Sequence, residues 1–358
     1  MRAERRLRPA RVRSVLVYVS SDADNALGEN IIKIPFLNGL RDAYPDAHIA
    51  WAGGIGPLLF EGPLRPLAEG LIDECLNLEI SDRVTAPLRN PLPDRHFDLI
   101  IDTQHLPQRA LALRRISHGV LISRAWCFAF SDRRPAPEHP RSPHLATRLL
   151  DLLSAALGRS AAASHLARLA PRWHAAAAEL LPGSGAYVGI APGAGQRQKC
   201  WPLERFVALA RDQLAKGRVP VMLLGDAEAD WVAPLRAALP KAVFPGHRAS
   251  FPNAPAGPAL TVAIAGRLAA GVANCSGAGH MLAAGGAPLV SLFGPTSPAK
   301  FAPYTPDLRI LRAQSYGAGN AMEQIPLAAV IAAVDATVSR WAYRLDSVSA
   351  APVAAASV

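Results

Sequence analysis

A repeated alternation runs along this chain. Short apolar runs, apolar on both faces, are each followed by a stretch of helical periodicity. In the first half the runs are Ser14 to Ser20, His48 to Ala52 and Phe97 to Asp102. In the second half they are Tyr187 to Ala191, Val219 to Leu224, a short strand near Val272, and Pro288 to Phe293. A strand with one wet face alternates apolar and polar residues. These runs do not, so each is expected to be covered on both sides. Doubly covered strands in strand–helix–strand order imply parallel sheets and an α/β fold class.

Helical segments fill the intervals. From Gly28 to Tyr44, the residues Ile31, Ile32, Ile34, Leu37 and Leu40 recur at helical spacing, and Pro45-Asp46 ends the run. Leu149 to Leu181 is rich in Ala and Leu and reads as mostly helical. Further helices are expected over Leu203 to Lys216, over Ala259 to Ala269, from Gly279, and over Leu327 to Trp341, with a Pro/Gly-rich loop from Pro245 to Pro258. A chain of 358 residues is too long for one ordinary core and suits two. The break Pro182-Gly183-Ser184-Gly185 sets expected domains at 1–182 and 183–345, and a small-residue tail, 346–358, is expected to be disordered. Two Rossmann-like halves facing a central cleft would bind ligands at their C-terminal strand ends.

The chain carries 38 Lys and Arg against 28 Asp and Glu, a net charge of +10. That balance favours anionic partners: nucleotide phosphates, acidic lipid or nucleic acid. The basic residues are scattered, with no aromatic-interleaved run and no finger motif, which argues against nucleic acid. No apolar run nears the ~20 residues of a membrane-spanning helix. Arg2, Arg5, Arg6, Arg8, Arg11 and Arg13 lead into Val15 to Val19, a stretch too short for a signal-peptide core and with no small-residue cleavage site after it. The expectation is a cytoplasmic protein, peripheral on the inner membrane if these arginines meet an anionic leaflet at about 1 kcal/mol per well-placed charge. A solvated tail that aids solubility is the alternative. Cys75, Cys127, Cys200 and Cys275 show no CxxC spacing, so reduced thiols and no zinc site are expected.

The densest chemistry is Asn274-Cys275-Ser276-Gly277-Ala278-Gly279-His280, followed by Phe293-Gly294-Pro295-Thr296. A small-residue turn entering a helix exposes backbone N–H groups and the positive end of the helix, which suits a diphosphate. Ser276 and Thr296 add hydroxyl donors, and His280 could donate to a phosphate or sugar oxygen. On its own such a turn is more often a packing turn. A second one, Ala191-Pro192-Gly193-Ala194-Gly195 with Lys199-Cys200-Trp201-Pro202 after it, shifts the balance toward a nucleotide. Lys199 there can neutralise charge on a departing diphosphate, or it is a solvated loop lysine. Asp102 ends its run as a second carboxylate of interest, facing the cleft or simply closing a turn. Glu228 follows Gly225-Asp226 and could approach the nucleotide.

Pro192-Gly193-Ala194, Lys199, Trp201-Pro202, Phe206, Leu223-Leu224-Gly225, Ser276-Gly277, His280 and Phe293-Gly294-Pro295-Thr296 together resemble glycosyltransferase family 9, which contains the ADP-heptose:lipopolysaccharide heptosyltransferases. The resemblance runs from about Val15 to Trp341. It implies a GT-B fold with the acceptor in the N-terminal domain and the nucleotide-sugar in the C-terminal one, and an inverting transfer without a bound metal. The donor is then a substrate, ADP-heptose by family expectation, and no separate cofactor is called for. The acceptor would be lipopolysaccharide or another lipid-linked or polysaccharide glycan of the envelope. Gly28-Glu29 with Ile34-Pro35 resembles the family's Gly-Asp turn, which gives Glu29 the role of catalytic base; charge compensation at a helix start is its other reading. Cys275 departs from the family pattern, which has Asp there, and a neutral thiol is a weak hydrogen-bond partner. Two rival readings remain beside the transferase. One is a catalytically impaired nucleotide-sugar binding protein; the other is a GT-B enzyme such as a nucleotide-sugar epimerase.

Overall fold

The computed structural model describes residues 12–19, 27–54, 56–78, 80, 90–135, 142–183, 185–247 and 256–349. The arginines before residue 12, the polar turn at 21–25, most of the 245–258 loop and the end of the tail lie outside the described residues. The chain divides into two compact units, 1–169 and 170–358, each built on a five-stranded sheet.

In the first unit β1 (Ser14–Tyr18), β2 (His48–Gly53), β3 (Glu74–Asn77), β4 (His96–Asp102) and β5 (Ser117–Ser123) lie in the order β3-β2-β1-β4-β5. In the second, β6 (Tyr187–Ala191), β7 (Val219–Met222), β8 (Leu268–Asn274), β9 (Leu289–Phe293) and β10 (Leu308–Arg312) lie in the order β10-β9-β8-β6-β7. Every pairing is parallel, with Val15 beside Leu99 in one sheet and Ile190 beside Val272 in the other. β6, β8 and β9 are buried along their whole length, as doubly covered strands must be. Their side chains meet Trp201, Phe206, Val330 and Val334 in the core of the second unit.

Three departures from the sequence expectations have local causes. The helix expected from Gly28 to Tyr44 is two, Leu27–Ile31 and Ile34–Ala43. Pro35 has no N–H to return to the preceding turn, so the first helix stops and a second begins around the proline. The Ala/Leu-rich stretch is helical over Leu145–Leu157, ends at Gly158 in a left-handed conformation (φ 69°), and resumes at Pro171–Leu180. The helix expected to reach Ala269 stops at Ala265, and Leu268-Ala269-Ala270 enters β8. Helix preference separates such residues by under about 1 kcal/mol, whereas burying one large apolar side chain is worth about 1.5–3 kcal/mol, so tertiary packing decides.

The unit boundary falls earlier than Pro182. The helix Pro171–Leu180 packs on Pro258–Ala265, and Arg267 donates to the carbonyls of Leu181 and Gly183 at 2.8 Å each, tying that segment to the second unit. Asn38 instead holds the irregular stretch before it, donating to the carbonyls of Ser164 and Leu166. The last helix, Leu327–Ser349, runs past Trp341 into residues expected to be tail. All four cysteines are free thiols, and among the described residues no helix is long and apolar enough to cross a membrane.

Candidate functional site

Each sheet has one place where the strand order reverses: between β1 and β4 in the first unit, and between β6 and β8 in the second. Loops leaving the two strands there diverge to opposite faces, and the crevice between them is where open parallel sheets bind ligands.

At the β6/β8 reversal, Pro192-Gly193-Ala194 leaves one strand and Asn274-Cys275-Ser276 leaves the other, entering the helix Gly277–Ala284. Ser276 stands extended at the start of that helix, and its hydroxyl makes no capping bond. The Ser276 Oγ and Thr296 Oγ1 are both buried with no hydrogen-bond partner in the protein. Two such hydroxyls beside a helix N-terminus are donors held ready for an anion.

Lys199 closes a one-turn 3-10 helix, Arg197–Lys199, and is part-buried. Its ammonium and the Thr296 hydroxyl both favour the Cys275 thiolate, but burial outweighs them and pushes the thiol above its ordinary value of 9.0. The thiol lies beside the Thr296 hydroxyl without closing a hydrogen bond to it. Cys275 is therefore a neutral, part-buried group at neutral pH. Glu228 bonds back to the Gly225 N–H at 2.9 Å and lies over Gly193, where a Cβ would come within 2.2 Å of its Oε1. A side chain at position 193 would require that carboxylate to swing aside. Arg197 stacks its guanidinium 4.9 Å above the Trp231 ring, adding a second cation to this edge.

The loop that carries Lys199 is anchored from below. Trp201 is 1% exposed, packs edge-on against Phe206, and donates its indole N–H to the Ile325 carbonyl at 2.9 Å. Arg205 donates to the carbonyls of Glu323 and Ile325. The same strip meets the other side at Gly294, where a Cβ would come about 2.5 Å from the Asn320 carbonyl and Met322 Sδ, and Gln314 donates to the Gly294 carbonyl beside it.

Residues 86–329, more than half of the chain, match the profile of glycosyltransferase family 9 (heptosyltransferase). The chain belongs to that family. Solved structures with the same fold include the glycosyl transferase family 9 protein from Veillonella parvula (20% identity, TM-score 0.67, covering 92% of this chain and 98% of that one). Two from E. coli are the ADP-heptose lps heptosyltransferase II (18%, 0.61, 92% and 99%) and the heptosyltransferase WaaC with ADP-2-deoxy-2-fluoro heptose (19%, 0.63, 90% and 99%). The fold is thus GT-B. No curated protein sequence matches significantly.

In this family 9 glycosyltransferase the second unit brings Gly193, Lys199, Ser276, Gly277 and Thr296 to the C-terminal end of its sheet. His280 is different: it is 8% exposed, buried in the helix beyond Gly277, and offers a ligand little surface. In the first unit Glu29 is exposed in the first turn of Leu27–Ile31, after β1. One turn on, the Lys33 amine donates to the Asn30 Oδ1 at 3.1 Å, and desolvation lowers its pKa to about 8 against the pull of Glu29. Asp102, across the β1/β4 reversal, is wholly buried and exposes no carboxylate. It accepts from the Ser123 hydroxyl at 2.7 Å and the Gln104 N–H at 2.9 Å, and burial raises its pKa to about 7. Among the described residues no three of His, Cys, Asp or Glu come together to hold a metal ion. What sequence reasoning missed is the buried Asn274 side chain, which accepts from the Trp201 N–H and donates to the Pro192 carbonyl, although a polar residue ending a fully apolar strand was a visible signal.

Proposed function

We propose that this protein is an inverting glycosyltransferase that moves a sugar, heptose by family expectation, from a nucleotide diphosphate donor to a lipid-linked or polysaccharide acceptor of the cell envelope, without a resident metal. The observation that carries this reading is the pair of loops at the β6/β8 reversal, where Lys199 and two unpartnered hydroxyls border the start of a helix. The diphosphate would take N–H donors from the Ser276-Gly277 turn, hydroxyl donors from Ser276 and Thr296, and charge neutralisation from Lys199 as it leaves. The relative WaaC holds ADP-2-deoxy-2-fluoro heptose, which supports ADP-heptose as donor.

Glu29 is the proposed base. Exposed in the first turn of Leu27–Ile31, it is open to an acceptor hydroxyl, with Lys33 one turn away. The envelope acceptor and any peripheral membrane contact belong to this same proposal.

Thermal unfolding against ADP, GDP, UDP and CMP, with their sugar conjugates, tests the donor site. A ligand at about 100 times its Kd adds about 2.7 kcal/mol of stability. The expected result is a selective shift with one diphosphate, absent in Lys199→Ala. No shift with any of them refutes the donor site. A second reading, an impaired nucleotide-sugar binding protein, is favoured by one observation: the neutral thiol of Cys275 stands in the donor site. It predicts binding without transfer, and transfer restored by Cys275→Asp. Turnover by the unmodified protein removes it.

A further inference from the structure

Asn274 is wholly buried at the end of β8, and its side chain makes two bonds to one loop. Its Oδ1 accepts from the Trp201 N–H at 3.0 Å, and its Nδ2 donates to the Pro192 carbonyl at 2.8 Å. Pro192 and Trp201 are the two ends of the loop that contains Gly193, Arg197 and Lys199. Inside the loop the backbone bonds are short-range, Lys199 N–H to the Gln196 carbonyl and Cys200 N–H to the Arg197 carbonyl. One amide therefore closes the neck of the loop, and the residue after it opens the Cys275-Ser276-Gly277 turn on the facing strand.

We infer that Asn274 is a positioning residue of the donor site, fixing Lys199 and Gly193 relative to the Ser276-Gly277 turn; this rests on the donor-site reading above. The chemistry requires this side chain. The neck presents one N–H and one carbonyl, so the bridging group needs an acceptor and a donor on a single short planar unit. Aspartate lacks the donor when ionised, leucine lacks both, and glutamine is one methylene too long for a site with no free surface. Losing either bond leaves a buried backbone group unpaired, and a misplacement of about 1 Å is enough to weaken a preorganised site severely. Asn274 touches neither the diphosphate nor the sugar in this scheme; it acts through the loop.

The test uses the full chain, ADP as the probe, and two variants. Asn274→Leu removes both bonds at similar volume and is expected to weaken ADP binding by about tenfold or more at every pH. Asn274→Asp restores the donor when its carboxyl is protonated, because the O–H then bonds the Pro192 carbonyl while C=O keeps the Trp201 N–H. Burial raises that carboxyl's pKa, and Lys199 opposes the rise. Its ADP affinity relative to the unmodified protein is therefore expected to recover toward the acid side and fall as pH rises. Lys199, Arg197, Cys200, Cys275 and Glu228, the charged and titratable groups around this loop, are the same in both proteins and cancel in that ratio.

Amide exchange over residues 193–200, measured without ligand, is expected to quicken in Asn274→Leu. Unchanged ADP affinity in Asn274→Leu, or unchanged exchange in the loop, overturns the inference even if the variant is less stable. Failure of the unmodified protein to bind ADP while Asn274→Leu still loosens the loop strikes instead at the donor-site reading.

Discussion

Replacing Asp102 by Asn removes a charge that the fold does not want. The carboxyl is wholly buried, with two donors, Ser123 Oγ–H and Gln104 N–H, and with Arg109 favouring its ionised form. Desolvation outweighs all three and lifts the pKa from 3.8 to about 7. The folded state therefore holds its proton up to about pH 7, while the unfolded chain releases it near 3.8. Stability from this group is complete below 3.8, declines as pH rises through that interval, and levels off above about 7. Roughly three pKa units at 1.36 kcal/mol each make the full swing on the order of 4 kcal/mol. Asn keeps the acceptor for Gln104, and its amide can donate to the Ser123 oxygen, so the variant has no such swing. Urea unfolding followed by circular dichroism, at steps from about pH 5 to about pH 8.5, reads the effect as the difference between the two proteins. His165, whose lowered pKa adds stability as pH rises, is common to both and drops out. Asp102→Asn is expected to gain on the unmodified protein from about pH 5 to about pH 7 and to hold a level lead above that. Parallel profiles would show that the carboxyl is ionised inside the fold, and the burial argument would be wrong.

Three further outcomes follow from the geometry. Glu29→Gln is expected to lower kcat by about a hundredfold to ten-thousandfold while leaving the Kd for ADP unchanged, as measured by steady-state transfer and calorimetry; a matching change in both would remove Glu29 from the base role. Gly285→Ala puts a Cβ 2.0 Å from the Val262 carbonyl oxygen and 2.5 Å from Ala265 Cβ, so a loss of about 1–3 kcal/mol or more is expected in urea unfolding. Gly195→Ala, with nothing within 4 Å of the new carbon, is the control at within ~0.5 kcal/mol. Glu74, held to about 2 by Arg95 and His48, contributes stability that is lost as pH falls from 4.5 toward 2; Glu74→Gln is expected to flatten the acid limb of the unfolding curve.

The strands most readable in the sequence are those buried on both faces. Val188 and Ile190, or Val290 and Leu292, leave no reading except a covered strand. β10 escaped because Arg309 and Arg312 interrupt it: as an edge strand it tolerates exposed charge and loses the apolar signature. Strand order depends on pairings far apart in the chain, such as Ile190 with Val272, so the reversal that locates the site had no local trace. Lys199, Ser276 and Thr296 were legible because small-residue turns and helix starts are local features. The neutralised carboxyl of Asp102 was not, since only the assembled neighbourhood removes its water.

The strip from Asn320 to Ile325 lies remote in sequence from Lys199 and borders the turn before Thr296, yet it braces the supports of both. Anyone recombining this chain with a relative to change donor preference faces a constraint that no list of ligand contacts reveals. A crossover between Phe206 and Asn320 would graft a foreign brace beneath native loops. Crossovers that keep residues 192–206, 274–277, 293–297, Gln314 and 320–325 from one parent would preserve the proposed donor seat together with its supports.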